Sequence, residues 1–564
     1  MPRAMRILPL ILLAAQAVFP QATPVRVADA ACARCHQQIV RSYLLTPMAN
    51  ASGAAADRII SGTFDHRSSG VEYTIANPGG NPTLTWSDPR DGGISGRLSL
   101  TYFLGSGHLG TTWLYSLGDY LFESPIAWYA ASQSFDMKPG LENTTEMPPS
   151  LPVQTDCLRC HMSAVQPSDP GTVNRYSGLP FLHTGITCES CHGDSRQHVL
   201  SGGKAPVVNP ARLNAQERDS ICIGCHLEGD VSVERAGHTA LDYRPGQSIS
   251  EYLAYYVYAN NDLTRRGVSE VEQLSQSTCK RMSGDKMSCT SCHDPHFTPS
   301  PSERVAFFRS KCLACHSTPS FAASHHPEQP DCTSCHMPHL GAQNIPHVAW
   351  TDHRILRQPE LESLDASSAV HDQLVPIFSP GATTRDLGMA WYLALMKGNR
   401  AAEPHAWSIL SSLQQSIAND VPALDALGNL SVERGDQKTA EAAFRRVLTL
   451  DPSDLTALSN LGVLLAKQRR FAESVAIMRQ AFDRNRDVAG LAMNLARVQC
   501  ITGDSAGVRT TLQSALNWNP GITEMRQLLA RASSCSVSTP QGAEPRRLPV
   551  LTTFGYVPGS ARRR

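Results

Sequence analysis

From about Thr383 onward, apolar residues recur at helical spacing and the pattern repeats itself. Gly428, Gly462 and Ala496 are 34 residues apart, and each follows a leucine (Leu427, Leu461, Leu495). Ala440, Ser474 and Val508 come twelve residues later, and Pro452 and Pro520 stand two periods apart. This period predicts helix pairs stacked into a solenoid with a concave groove. Units begin near Val421, Leu455 and Ala489, after a degenerate one around Gly388–Ala418. An ordinary helical bundle is the alternative.

The first third of the chain carries a different pattern. Val71-Glu-Tyr-Thr-Ile75, Thr83-Leu-Thr-Trp86 and Leu98-Ser-Leu-Thr-Tyr-Phe103 alternate or are rich in β-branched and aromatic residues. Asn77-Pro-Gly-Gly-Asn81 and Asp91-Gly-Gly93 separate them as turns. A small β insertion is therefore expected at about 58–125. From about Pro139 to Trp350 the chain is rich in Gly, Pro and Ser, which predicts loops and short helices, one of them over Ser248–Ala259. At the start, Arg3 and Arg6 precede an apolar run from Ile7 to Phe19 and small residues at Ala15, Ala17 and Ala22. That reads as a signal peptide over 1–22, too short to span a bilayer. The expected fold class is mainly α. A loop-rich domain over 23–360 is followed by a linker at 361–384, an α-solenoid over 385–535 and a tail at 536–564.

Cysteine usage gives the loop-rich domain its chemistry. Of 17 cysteines, 14 fall in seven copies of Cys-x-x-Cys-His. They are Cys32/Cys35/His36, Cys157/Cys160/His161, Cys188/Cys191/His192, Cys222/Cys225/His226, Cys289/Cys292/His293, Cys312/Cys315/His316 and Cys332/Cys335/His336. This is the attachment motif of c-type haem. Two thiols on one short turn bond the two vinyl groups of a haem, and the next residue supplies the proximal iron ligand. Zinc ribbons use paired cysteines too, but do not require a histidine after every second one. A disulfide framework does not need the histidine either. The cofactor expected is seven covalently attached haem c groups. Motif gaps of 125, 31, 34, 67, 23 and 20 residues predict one separate first haem and two clusters, motifs two to four and five to seven. Cys500 and Cys535 read as small buried cysteines or as a disulfide between adjacent helices, and Cys279 has no evident partner.

Aromatic content is only 6%, and haems would supply the missing apolar bulk. The 50 basic and 50 acidic residues balance, so nothing favours nucleic acid. No segment of the mature chain is long and apolar enough to cross a membrane, and an exported protein of the periplasm or cell exterior is expected. Thirteen histidines lie outside the motifs, enough to give every iron a second axial ligand. By position the candidates are His108, His183, His198, His296, His339, His347 and His353. His325 and His326 also lie between the last two motifs, and His66 and His238 are undecided.

The chain resembles the multihaem cytochromes related to the tetrahaem electron carrier of ammonia oxidisers, in the versions fused to tetratricopeptide repeats. The matching stretches are Ser42-Tyr-Leu-Leu-Thr-Pro-Met-Ala49, Gly185-Ile-Thr-Cys-Glu-Ser-Cys-His-Gly193, Cys289-Thr-Ser-Cys-His-Asp-Pro-His296, Cys332-Thr-Ser-Cys-His-Met-Pro-His339 and Thr351-Asp-His-Arg-Ile355. The resemblance implies mostly bis-histidine haems in stacked and parallel pairs, with His198, His296, His339 and His353 as distal ligands. The wider superfamily includes pentahaem nitrite reductase and octahaem hydroxylamine oxidoreductase. The Cys-x-x-Cys-Lys motif usual at the nitrite reductase active haem does not occur here. The expected function is electron transfer, with the repeats docking redox partner proteins. The alternative is a multihaem oxidoreductase acting on a small nitrogen or sulfur compound at one five-coordinate haem.

Overall fold

The structure is a computed structural model and describes residues 27–90, 93–259, 267–318, 321, 325, 328–341, 349–357 and 373–535. The expected signal peptide, the tail at 536–564, His326 and His347 lie outside the described residues.

The β region is larger than the sequence pattern predicts. Ten antiparallel strands occupy residues 52–152: β1 (Ser52–Ala54), β2 (Gly62–His66), β3 (Val71–Ala76), β4 (Thr83–Asp88), β5 (Ile94–Leu104), β6 (Gly110–Leu117), β7 (Tyr120–Glu123), β8 (Ile126–Tyr129), β9 (Ser134–Met137) and β10 (Leu151–Pro152). Strands β2 to β7 pair in sequence order, β10 joins β7, β1 pairs with β5, and β8 joins β6 to β9. In β3 the alternation is strict: Val71, Tyr73 and Ile75 point inward. Strands β6 to β8 instead bury successive residues, among them Trp113, Leu114 and Tyr115. Both their faces are covered, so they lack the alternation that marks a half-exposed strand.

Two further strands, β11 (Met162–Val165) and β12 (Phe181–Thr184), form a hairpin between the second and third motifs. The helix expected over Ser248–Ala259 is not formed. A single 3₁₀ turn (Ile249–Glu251) leads into a strand, β14 (Leu253–Tyr258), paired with β13 (Val231–Glu234). Leu253 and Tyr255 enter a core with Ile223 and Leu227, whereas Ala254 and Tyr256 enter the solenoid core. A strand buried on both faces shows no alternation, which removes the signal that separates strand from helix. Strands β15 (His339–Gly341) and β16 (Ala349–Thr351) pair beyond the last motif. The segment read as a linker contributes β17 (Leu374–Ile377), which pairs with the other side of β14. Helices dominate only after Thr384, so the mainly α expectation describes the C-terminal part and not the whole chain.

There, helix pairs succeed one another: Thr384–Met396 with Glu403–Ser412, Val421–Glu433 with Gln437–Leu450, Leu455–Lys467 with Phe471–Arg484, and Ala489–Ile501 with Ser505–Leu516. The first helices of three pairs begin at Val421, Leu455 and Ala489, in step with the 34-residue period. Asp420, Asp436, Asp454 and Asp504 cap their helices through the side chain. The repeated glycine has a packing cause. A Cβ at Gly428 would lie 2.5 Å from the Phe444 ring, and one at Gly462 2.5 Å from Met478. Cys500 and Cys535 form a disulfide, with Cα atoms 4.7 Å apart, which ties the end of the solenoid to its fourth pair.

The solenoid is fastened to the motif-bearing body at two places. Near its start, Arg235 pairs with Asp386 at 2.9 Å, and Val231, Val233, Ala254 and Tyr256 share one core with Trp391, Leu424 and Leu427. Near its end, Trp518 packs on Tyr120 and Phe122, and Asn519 Oδ1 accepts from the Ser150 amide at 3.0 Å. Between them Asn485 bonds both Val173 N and Gly171 O. Gly171 has φ +72°, and a Cβ there would meet Ser453 O at 2.4 Å.

Candidate haem centres

Each motif is a tight turn, and in the second the His161 N–H bonds the Leu158 carbonyl at 3.0 Å while the others close on their first cysteine. The motif histidine N–H bonds the first cysteine's carbonyl at 2.8 Å in His36, 2.9 Å in His192 and 3.0 Å in His293 and His316. Cysteines at i and i+3 therefore share a face, and the following histidine leaves the turn at its end.

The histidines then converge in twos. His36 faces His198 with ring centres 6.4 Å apart and planes 15° from parallel. His192 faces His296 at 6.0 Å and 13°, His293 faces His353 at 6.2 Å and 27°, and His336 faces His325 at 5.9 Å and 25°. A metal–imidazole bond is about 2 Å, so two imidazoles on opposite sides of one ion have ring centres about 6 Å apart. The ring nitrogens agree. Nδ1 of His192, His198, His336 and His353 lies 2.8, 2.8, 2.5 and 2.8 Å from the carbonyls of Val208, Ala205, Leu356 and Thr351. A carbonyl only accepts, so Nδ1 carries the proton and Nε2 keeps its lone pair for a metal. The residues present fit a bis-histidine haem at these four motifs.

A regularity in the chain order underlies the pairs. They belong to motifs one, three, five and seven. For the first three, the second imidazole lies just beyond the next motif but one: His198 after the third, His296 after the fifth, His353 after the seventh. His325 was marked in the sequence only by its place between the sixth and seventh motifs.

Other expected ligands stand elsewhere. Among the described residues, His108, His183 and His339 face no motif histidine. His108 and His339 are exposed, and His183 is held in the β11–β12 hairpin opposite Ser163, its Nδ1 buried without a hydrogen bond. His66 is accounted for structurally, with Nδ1 2.7 Å from Ser69 Oγ and Nε2 3.0 Å from the Glu142 carbonyl. His161 is half-buried, and the packing around it holds its imidazole below the usual range, whereas His226 is exposed.

The motifs also touch one another. The thiols of Cys32 and Cys188 are in contact, as are Cys160 and Cys225, Cys222 and Cys289, and Cys312 and Cys332. Cys191 interacts electrostatically with Cys222 and Cys225, and Cys292 with Cys315. Three cysteines expected to bond haem, Cys35, Cys157 and Cys335, depart from this pattern. All three are exposed, and none takes part in these contacts between motifs. Their place explains it: the first and last motifs meet their neighbours through their first cysteines, Cys32 and Cys332, and the second motif meets the fourth through its second cysteine, Cys160. Cys335 Sγ lies 3.9 Å from the hydroxyl of the adjacent Ser334, and the Cys35 amide donates to the Cys32 carbonyl at 3.1 Å. Only the attachment turn itself therefore supports Cys35, Cys157 and Cys335 as haem-bonding residues.

The first motif is not separate, as its distance along the chain implied. Asp29 accepts from the Cys188 amide at 3.0 Å, the Tyr43 hydroxyl donates to the Ile186 carbonyl, and Ser52 bonds both His161 O and Gly185 N. The ten-stranded sheet is a long excursion that returns the chain to its starting point.

The apolar surroundings suit a large flat ring. Ile39 and Leu45 beside the first motif, Leu200 beside His198 and Met282 before the fifth are exposed large apolar side chains, the two extremes being Leu45 and Met282 at 82%.

Residues 127–193 match the family model of cytochrome c554 and c-prime, and residues 455–492 match that of the tetratricopeptide repeat. The chain is 24% identical over 173 residues to the multihaem cytochrome MtrA of Shewanella baltica (strain OS185). That match covers 28% of this chain and 52% of the relative, so it spans about half of the relative's length. Among solved structures, the outer cell wall cytochrome OcwA aligns over 81% of this chain and 99% of its own, at 13% identity and a TM-score of 0.39. MamA aligns over 27% of this chain and 81% of its own, at 17% identity and a TM-score of 0.25. The chain is thus similar to multihaem c-type cytochromes and carries tetratricopeptide repeats.

Proposed function

We propose that this chain is an exported electron-transfer protein that binds seven haem c groups, with its repeats bracing the haem-bearing body and offering an outer face to redox partners. The observation that carries the reading is the set of four imidazole pairs at about 6 Å. In each pair one imidazole turns Nδ1 to a backbone carbonyl, and the motif thiols lie on haem-attachment turns. A bound haem supplies one-electron exchange at its iron; the protein supplies axial ligands, burial and fixed charge.

The thiol contacts give the order of the centres. Motifs one, three, four, five, six and seven follow one another in space, and motif two joins at motif four. Electrons entering at either end would pass through the fourth centre. The helices Gln437–Leu450 and Phe471–Arg484 turn a charged face outward, where Glu441, Arg445, Arg470 and Glu473 form a connected set of ion pairs. A charged outer face of this kind suits transient, salt-sensitive partner binding.

Intact mass of the purified holoprotein tests the count, and the expected result is seven haems per chain. In the His296→Ala variant, paramagnetic resonance should show one centre changed from low-spin to high-spin. A wild-type chain with fewer than seven haems, or a His296→Ala spectrum identical to wild type, refutes the assignment.

A further inference from the structure

Where the second and fourth motifs meet, their middle residues hold each other. Arg159, between Cys157 and Cys160, donates from Nη1 to the carbonyl of Gly224, between Cys222 and Cys225. In return the Cys225 thiol lies 3.9 Å from the Arg159 carbonyl. The thiols of Cys160 and Cys225 touch, so the guanidinium sits where the attachment edges of two haems come together. Tyr255 is fully buried beside it, and neither Arg159 Nε nor the Tyr255 hydroxyl reaches a hydrogen-bond acceptor among the described residues. The one carboxylate in ion-pair range of Arg159 there is Asp156 at 3.5 Å, whose side chain is 37% exposed and so weakly compensating.

We infer that Arg159 is a potential-setting residue that raises the reduction potentials of the second and fourth haems above those of the other centres. This rests on the haem reading above. Reduction adds one electron, drawn from an external one-electron reductant, to a ferric iron, and neither forms nor breaks a bond. A guanidinium keeps its charge at all working pH. In a partly buried site its field is weakly screened, so it favours the electron-rich state of both neighbouring haems. The fourth motif also touches the third and the fifth, so the raised pair lies at the branch of the wire. Electrons delivered from either end collect there first, and the chain holds up to two of them at its centre before its ends are reduced.

The test is a spectroelectrochemical titration of the full-length holoprotein with Arg159→Gln, Arg159→Lys and Asp156→Asn, each checked for haem content by mass. Arg159→Gln should lower two of the seven potentials by at least tenfold in the reduction equilibrium, 59 mV for each tenfold in a one-electron couple. Arg159→Lys keeps the charge and should shift the same two by less than half as much. Asp156→Asn removes the counter-charge at an accessible side chain and should move the same two upward. Unchanged potentials in Arg159→Gln overturn the inference, and so does a Lys variant that shifts as far as the Gln variant. If Arg159→Gln cannot be matured, Asp156→Asn decides, and unmoved potentials there overturn it. A wild-type protein lacking haem at the second or fourth motif instead refutes the underlying haem assignment.

Discussion

Asp386 tests whether the solenoid and the haem-bearing body are one mechanical unit. Its side chain is 1% exposed, at the third position of the helix Thr384–Met396. There it completes a capping box, accepting from Thr383 N at 2.9 Å while its own amide donates to Thr383 Oγ1 at 3.2 Å. It also accepts from Arg235 Nη1 at 2.9 Å, across the junction from β13. Arg235 in turn donates to the carbonyls of Gly381 and Pro380, and Arg385 beside Asp386 pairs with Asp420 at 2.8 Å. Asp386→Asn keeps the size and an acceptor oxygen but removes the charge. Two arginines, each only 11% exposed, are then left with a single carboxylate. Breaking a buried pair from one side costs about 3–5 kcal/mol, because the remaining charge is uncompensated. Asp386→Ala adds the loss of the cap, about 1 kcal/mol. Guanidinium titration of the holoprotein, followed by helical ellipticity, should show a lower midpoint in Asn and a lower one still in Ala. Limited trypsin digestion should separate repeats from body faster in both. An Asn variant within about 1 kcal/mol of wild type refutes the claim that this ion pair fastens the junction.

Two other perturbations read different parts of the same assembly. Burial pushes the Asp487 carboxyl, against the β-sheet side of the solenoid, up to about 7. A raised acid favours the folded state fully below its unfolded value near pH 4 and loses that contribution as pH rises to about 7. Asp487→Asn should therefore stabilise the chain more at pH 8 than at pH 5, with a ceiling of about 4 kcal/mol; an equal effect at both pH values refutes it. The disulfide closes a separation of 35 residues. Cys535→Ser should cost about 4 kcal/mol in the last repeat, seen as earlier melting of the helical signal. A wild-type melt unchanged by reductant contradicts this.

What the sequence disclosed followed from how local each signal is. A haem-attachment turn is five residues long, so its cysteines and histidine are legible without a fold. Which of those cysteines meet another motif is not, and Cys35 and Cys335 differ from Cys32 and Cys332 only through what packs beside the turn. The helical repeat is legible because Gly428 and Gly462 recur for the same packing reason, against Phe444 and Met478. Distal ligands are long-range. His198, His296 and His353 stood out because they follow motifs closely, whereas His325 gave no comparable sign, and His108 only looked suited because of its glycines. Distance along the chain also misled. The first motif lies far from the second in sequence yet rests on the third, because an antiparallel sheet brings its ends back together. Strands such as β6 and β14 escaped recognition for the opposite reason: buried on both sides, they carry no alternation to read. The pairing of Arg159 with Gly224 joins two motif interiors, and no property of either motif alone announces it.

The alternate-motif order of the imidazole pairs bears on how such a protein is made. A chain is synthesised from its N-terminus. The turn at Cys32–His36 is therefore complete long before His198 emerges, His192 waits for His296, and His293 waits for His353. On the proposed haem assignment, each early centre would stay open on one side until a segment two motifs later arrives to close it. No N-terminal fragment ending between motifs would then be self-sufficient, and a truncated product would expose reactive iron rather than form a smaller working cytochrome. Maturation of the haem-bearing body is in this sense indivisible, finished only when the segment carrying His353 folds back.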